Sequence, residues 1–149
     1  RLVLLNGHGG QISLLNTAAR ELRKIAPNLN IFPCFIWSGV KGLSDLLPQN
    51  EIENGLHASL AETSLMLAIK PEIVGAERPF EGFSQKIPEG WSLEGDSPTA
   101  WMTNDLSKSG VIGDSRGANE KLGNDLRKLL VKHWYKLFLS LMSSDWPNE

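Results

Sequence analysis

The chain has 149 residues, of which 41% are hydrophobic and 21% charged, and it carries a formal net charge of −2. This composition is typical of a globular domain with a real core, and it argues against nucleic acid or an anionic membrane as partner. Cys34 is the single cysteine, so no internal disulfide can form, which favours a reducing, cytoplasmic location.

The chain opens on a predicted strand, a glycine-rich loop and a helix. Residues 2–5 are all apolar and run into Asn6-Gly7-His8-Gly9-Gly10. A short apolar run that ends in a turn signal predicts a strand buried on both faces, as in a parallel sheet. Because ligands bind at the carboxyl ends of such strands, His8 is a candidate metal ligand or acid–base group. A structural role in the turn is the alternative.

The next two patterns predict a βαβ unit. Apolar residues spaced three and four apart predict a helix over residues 12–25. The second apolar run, residues 31–37, predicts a strand in which Pro33 lies at an end, an edge or a bulge. Residues 37–55 are interpreted as an irregular loop on the same rim as His8.

The remaining segments are a helix, a long irregular stretch and a closing helix. The helix within residues 57–71 ends before Pro71, and Glu62 lies in its first turn, where the helix dipole alone favours a carboxylate. Residues 76–113 are dense in aromatics, prolines and glycines, which predicts ordered loops over a site or a subunit contact, with a short strand at 101–106. The last helix is predicted from Ala118 to about Ser143, with His133 in a core or surface position.

Three segments together carry a family resemblance. They are residues 6–10 (NGHGG), 57–67 (HASLAETSLML) and 113–118 (GDSRGA). Their order and spacing resemble the creatininase, or creatinine amidohydrolase, family over the carboxyl-terminal part of its domain. The resemblance implies a three-layer α/β/α fold with a mainly parallel sheet, incomplete at the N-terminus, and makes residues 1–149 one domain.

The resemblance also implies the site. His8 would ligate a catalytic divalent metal and Glu62 would be a second ligand, while His57 would lie beside the substrate as a proton-transfer group. Trp37 would line the substrate pocket, with Gly9 and Gly10 also beside the substrate. Imidazole and carboxylate ligands suit zinc, with manganese or iron as alternatives.

The implied function is a metal-dependent amidohydrolase that cleaves a C–N bond in a small cyclic or linear amide with a metal-activated water. His57 would then give a proton to the leaving nitrogen. The family commonly assembles into hexamers, so a homo-oligomer is expected. Gln11, Ser59 and Leu60 depart from the family pattern and leave the substrate identity open; Ser115 replaces a proline.

Two other functions remain open at this stage. The upstream metal ligands of the family are not in this chain, so the 149 residues alone are expected to bind metal weakly and to hydrolyse nothing. A non-catalytic interaction module is therefore one alternative, as is an active enzyme that needs an upstream segment. A small-molecule or phosphate binder that uses the glycine loop at residues 7–10 without metal is another.

Overall fold

The computed structural model describes residues 1–82 and 87–147 of the chain. The described residues form two compact units, one of residues 1–41 and 130–147 and the other of residues 42–129. Helix α5, Glu120–Met142, contributes to both. No helix in the described part of the chain combines the length and the apolar character needed to span a membrane.

The first unit is built on a parallel pair of strands. Strand β1 (Leu2–Asn6) pairs with strand β2 (Ile31–Phe35), and Leu2 lies opposite Ile31. Helix α1 (Ile12–Ile25) joins them after a short 3-10 turn. The predicted order of strand, glycine loop, helix and strand is confirmed. The apolar spacing of α1 buries Ala19, while the charged residues of the helix stay in solvent.

Pro33 lies in the middle of β2 without breaking the ladder. Leu2 N donates to Asn30 O (2.8 Å) and Ile36 N donates to Asn6 O (2.9 Å). Strand residues alternate in direction, so the even-numbered positions of β2 face β1. The Pro33 nitrogen therefore lies on the edge that faces away from β1, where a missing donor is tolerated.

The end of α5 and the segment after it complete the first unit. Trp134 Nε1 donates to Ile36 O (2.8 Å), and Phe32 meets the Trp146 ring edge-on at 5.9 Å. The Arg1 guanidinium donates to the carbonyls of Leu141, Ser144 and Trp146. His133 is half-buried with its ring perpendicular to Trp134, which is the environment of a packing residue.

In its described residues, the second unit contains three further α-helices, two short 3-10 helices, a small antiparallel pair and the first half of α5. Its elements are α2 (Gln49–Asn54), α3 (Leu60–Ile69), β3 (Phe80–Glu81), α4 (Thr103–Leu106) and β4 (Gly113–Asp114). Strand β3 pairs with β4. Helix α3 ends before Pro71 and α5 ends at Met142, as the sequence predicts.

Two predictions for this unit are wrong. The stretch 101–106 contains helix α4 and no strand, because the Asp105 carboxylate accepts the Met102 N–H (2.8 Å) and closes a helical turn. The stretch 37–55 is not wholly irregular, since it contains α2. Phe83, one of the aromatic residues of the long irregular segment, lies outside the described residues.

Helices α3 and α5 approach each other closely at Gly123. A Cβ atom at that position would lie 1.8 Å from the carbonyl oxygen of Ser64. Ser64 and the neighbouring Leu126 are both 0% exposed. The absence of a side chain at Gly123 therefore sets the distance between the two helices.

Substituting Gly123→Ala should destabilise the chain. Helix propensity alone would favour alanine by about 1 kcal/mol, but overpacking against a backbone carbonyl costs roughly 1–3 kcal/mol or more. We expect a net loss of at least about 1 kcal/mol in the free energy of unfolding, measured by urea denaturation. Gly75→Ala is the control, since nothing lies within 4 Å of its Cβ position; equal stabilities for the two variants would contradict the packing argument.

Candidate active site

The predicted site residues lie in both compact units. His8, Gly9, Gly10 and Trp37 belong to the first unit, and His57 and Glu62 belong to the second. His57 lies just before α3, and Glu62 lies in the first turn of that helix. The convergence of His8 and Glu62 on one metal stays a prediction.

The His8 loop is fixed by the last residue of β1. Asn6 is 6% exposed, its Nδ2 donates to His8 O (2.7 Å), and its Oδ1 accepts from His8 N (3.0 Å). A Cβ at Gly10 would lie 2.9 Å from His8 Nε2. The exposed His8 imidazole therefore lies over Gly10, and a side chain at this position would displace the ring. Trp37 is half-buried in the turn that follows β2.

His57 is held by both its backbone and its ring. Ile112 N donates to His57 O (2.8 Å), and Ile112 O accepts from the N–H groups of Leu56 and His57. The ring atom Nδ1 lies 2.6 Å from Gly110 O. Because a carbonyl oxygen only accepts, Nδ1 carries a proton, and the lone pair of the neutral ring is on Nε2.

Ala58, between His57 and α3, has a φ of +49°, in the left-handed region that side chains disfavour. Glu62 Oε2 accepts the Ala58 N–H (2.8 Å), and Thr63 Oγ1 donates to Ala58 O (2.8 Å). Both polar groups of the strained residue are thus bound by the first turn of α3. Strained backbone held in this way is concentrated at functional sites.

Glu51 caps α3 from outside the helix. It is 7% exposed; its Oε2 accepts from Ser59 Oγ (2.5 Å) and its Oε1 accepts from Ala61 N (2.8 Å). Ser59 occupies the N-cap position but makes no side-chain bond to its own helix. The Glu51 carboxylate therefore satisfies an N–H group that the helix leaves unpaired.

The third motif meets the second at Ser59. The Ser59 hydroxyl accepts from Asp114 N (3.0 Å), and a Cβ at Gly113 would lie 2.2 Å from that hydroxyl. The Asp114 carboxylate accepts two hydrogen bonds from the Arg116 guanidinium (2.9 and 2.7 Å), which lowers its pKa to about 2. Arg116 also lies over the Phe80 ring.

Glu81 binds the loop that precedes β4. Its carboxylate accepts from the backbone N–H groups of Lys108 and Ser109 and from the hydroxyls of Ser107 and Ser109, at 2.5–2.8 Å. These bonds, led by the one from Lys108 N, lower the pKa of Glu81 to about 2. The loop is therefore organised around a carboxylate that stays charged at neutral pH.

Sequence patterns gave no signal for these supporting residues. Glu51 and Glu81 lie outside the three motifs, and the partners of Glu81 are 26–28 positions away. No local periodicity reports such contacts. Among residues 1–82 and 87–147, no group of three or more His, Cys, Asp or Glu side chains is placed to hold a metal ion.

Comparison with known proteins gives one family. The family model Creatininase, described as creatinine amidohydrolase, matches residues 1–138. The mycofactocin precursor peptide peptidase of Mycobacterium ulcerans strain Agy99 is 31% identical over 115 residues, which cover 76% of this chain and 38% of that protein.

Solved structures agree on the fold. A Bacteroides fragilis NCTC 9343 protein assigned as a creatinine amidohydrolase aligns with a TM-score of 0.78 and 23% identity, over 98% of this chain and 55% of that one. Creatininase is similar in a manganese form (TM-score 0.68, 22% identity) and, as a variant, in a Zn–Zn form (0.67, 23%), each over 97% of this chain and 57% of the other. The predicted creatininase-like α/β/α fold is confirmed. The chain spans just over half the length of these structures.

Glu51→Ala should weaken the start of α3. The substitution leaves the buried Ala61 N–H and the Ser59 hydroxyl without their acceptor, which we expect to lower the free energy of unfolding by about 2–4 kcal/mol. Urea denaturation measures the loss. Glu53→Ala is the control, because Glu53 is an exposed acid on α2, the helix that also carries Glu51. It should change the free energy of unfolding by no more than about 0.5 kcal/mol. A Glu51→Ala variant as stable as this control would show that the cap is not needed.

The hydrogen bonds between Glu81 and residues 107–109 should make the free energy of unfolding depend on pH in the acid range. Since the folded pKa of Glu81 is depressed to about 2 from an ordinary 4.5, its contribution is complete above 4.5 and is lost as the pH falls through about 2. The difference in unfolding free energy between the parent chain and Glu81→Gln should therefore shrink towards zero between those pH values. Glu77→Gln, at an exposed position, should show no such trend, and a pH-independent difference for Glu81→Gln would refute the assignment.

Proposed function

This chain belongs to the creatininase family, and from that premise we propose that it provides catalytic residues of a metal-dependent amidohydrolase that cleaves a C–N amide bond. The observation that carries the proposal is the turn from His57 to Glu62. It places an oriented imidazole and a half-buried carboxylate on the two sides of a strained residue, Ala58. Metal-dependent amide hydrolysis needs an acid–base group close to a metal ligand, and this turn carries a candidate for each.

His8 and Glu62 would hold a divalent metal, zinc in the first place and manganese or iron(II) as alternatives. The donor chemistry supports this, since imidazole nitrogen and carboxylate oxygen suit these ions. Gly10 leaves room for the His8 ring, and Glu62 Oε1 is the oxygen that the bond to Ala58 does not use. When bound, such a metal activates water and polarises the amide carbonyl.

His57 would transfer a proton to the leaving nitrogen through Nε2. The Nδ1–H bond to Gly110 O persists whether the ring is neutral or protonated, because Nδ1 carries a proton in both states. The ring can therefore gain and lose a proton at Nε2 without turning. This is the behaviour that a proton-transfer group requires.

The substrate class we propose is a small cyclic or linear amide, with peptide amides included. Its support is that one relative is named a precursor peptide peptidase and others creatinine amidohydrolases, and both names describe cleavage of an amide bond. Trp37, Gly9 and Gly10 would line the substrate. Hexameric assembly and a cytoplasmic location stay predictions.

Variants of the site residues separate metal binding from proton transfer. In a protein that carries the family's upstream metal ligands, we expect His8→Ala and Glu62→Gln to lose bound metal, measured by plasma mass spectrometry after purification with zinc or manganese. His57→Ala should keep its metal while turnover of the cleaved amide, found by screening creatinine, cyclic amides and short peptides, drops about 10²–10⁴-fold.

His133→Gln is the matched control, because His133 is the one further histidine of the chain and belongs to neither group. It should retain both metal and turnover. Loss of metal in His57→Ala would make His57 a ligand instead. A protein that carries the family's upstream metal ligands and still neither binds metal nor hydrolyses any amide would favour a non-catalytic module.

A further inference from the structure

Glu81 lies outside every motif of the sequence, yet its contacts lead to the ring of His57. We propose that Glu81 is a positioning residue: it holds the loop 107–110 so that the Gly110 carbonyl keeps a proton on His57 Nδ1. The inference rests on the proposed role of His57 in proton transfer.

The first step is the binding of the loop by the carboxylate. Glu81 Oε1 accepts from Lys108 N (2.7 Å), and Oε2 accepts from Ser107 Oγ (2.8 Å), Ser109 N (2.8 Å) and Ser109 Oγ (2.5 Å). Hydrogen bonds to an ionised acceptor are about twice as strong as neutral ones. Four of them on one carboxylate fix three consecutive residues of the loop.

The second step passes from the serines to Gly110. Ser107 Oγ donates to Glu81 and accepts from Gly110 N (3.0 Å), while Ser109 Oγ donates to Glu81 and accepts from Val111 N (3.2 Å). Each hydroxyl therefore links the carboxylate to the backbone on one side of the Gly110 carbonyl. Gly110 has a φ of +87°, a conformation that glycine adopts without strain. The direction of its carbonyl is thus set by Glu81.

The third step concerns the imidazole ring of His57 and not its backbone. The backbone of His57 is held by its bridge to Ile112, independently of Glu81. The ring is held at Nδ1 by Gly110 O (2.6 Å). Loss of the Glu81 contacts should therefore weaken the bond that keeps the proton on Nδ1 while leaving the His57 backbone in place. A carbonyl partner at Nδ1 is a recurrent way to fix the tautomer of a functional histidine.

The experiment reads the tautomer directly by ¹⁵N NMR of the imidazole nitrogens in the full chain. The chain has three histidines, and His57→Gln identifies the His57 signals by their loss. At a pH where the ring is neutral, His57 should carry its proton on Nδ1 in the parent chain. Glu81→Gln should shift His57 towards a mixture with the Nε2–H form and leave His8 and His133 unchanged.

Conservative and partial variants guard against a folding effect. Glu81→Asp keeps the charge and should restore part of the Nδ1–H population. Ser109→Ala removes one hydroxyl link and should shift the tautomer in the same direction as Glu81→Gln but less, which keeps the test decisive should Glu81→Gln fail to fold. Glu77→Gln should leave all three rings unchanged. A His57 ring that is Nε2–H in the parent chain, or unaffected in the Glu81 and Ser109 variants, overturns the proposal.

Turnover separates this inference from the proposed function. In an active enzyme, Glu81→Gln should lower kcat roughly 10- to 100-fold with KM and metal content unchanged. A tautomer shift in a protein that hydrolyses nothing even with the family's upstream metal ligands present would refute the amidohydrolase alone. An active parent enzyme in which neither tautomer nor kcat responds to Glu81→Gln would refute the positioning role alone.

Discussion

The left-handed backbone of Ala58 is the constraint on which the second unit depends. A non-glycine residue in this conformation costs about 1–2 kcal/mol, so it persists only where surrounding contacts determine it. Glu62 and Thr63 bind its N–H and C=O, and both belong to the first turn of α3. The helix start must therefore form for the turn to form, and that turn places His57 on the Ile112 bridge. His57, a carboxylate and a helix terminus are in this way a single cooperative structure.

Ser59 shows how this chain departs from its family without changing the site. Where the family pattern has glycine, Ser59 is 2% exposed, and its hydroxyl accepts from Asp114 N and donates to Glu51. A buried hydroxyl satisfied on both sides does not face a substrate. Ser59 is one of the departures from the family pattern that leave the substrate identity open, and the structure gives it a packing role between the second and third motifs. Differences in substrate choice must then arise from other positions.

The sequence predicted the elements that local patterns encode. The strand β1, the amphipathic spacing of α1 and the end of α3 before Pro71 are all present, because apolar spacing and proline act over a few residues. Strand β1 is not buried on both faces as predicted, since Leu5 is 50% exposed. Helix α2 was missed, since its six residues contain one apolar side chain, Ile52, and show no period. The strand predicted at 101–106 was wrong because one carboxylate cap decided the local conformation. For the candidate site, the motifs of the family resemblance pointed to His57 and Glu62, whose roles stay predictions, and contacts across 26 or more positions, such as those of Glu81, have no local signature.

The hydrogen bonds of the acidic residues also explain which carboxylate is suited to a metal. Glu51 uses both oxygens on Ser59 and Ala61, and Asp114 uses both on Arg116. A carboxylate committed in this way would have to break charge-assisted bonds before it could ligate an ion. Glu62 is different, because Ala58 N–H engages Oε2 while Oε1 makes no hydrogen bond to the described residues. A ligand carboxylate oriented by a backbone donor at its second oxygen is the arrangement that outer-shell support produces at metal sites. The distribution of donors therefore supports the proposed choice of Glu62 over Glu51 and Asp114, and this support is independent of any motif.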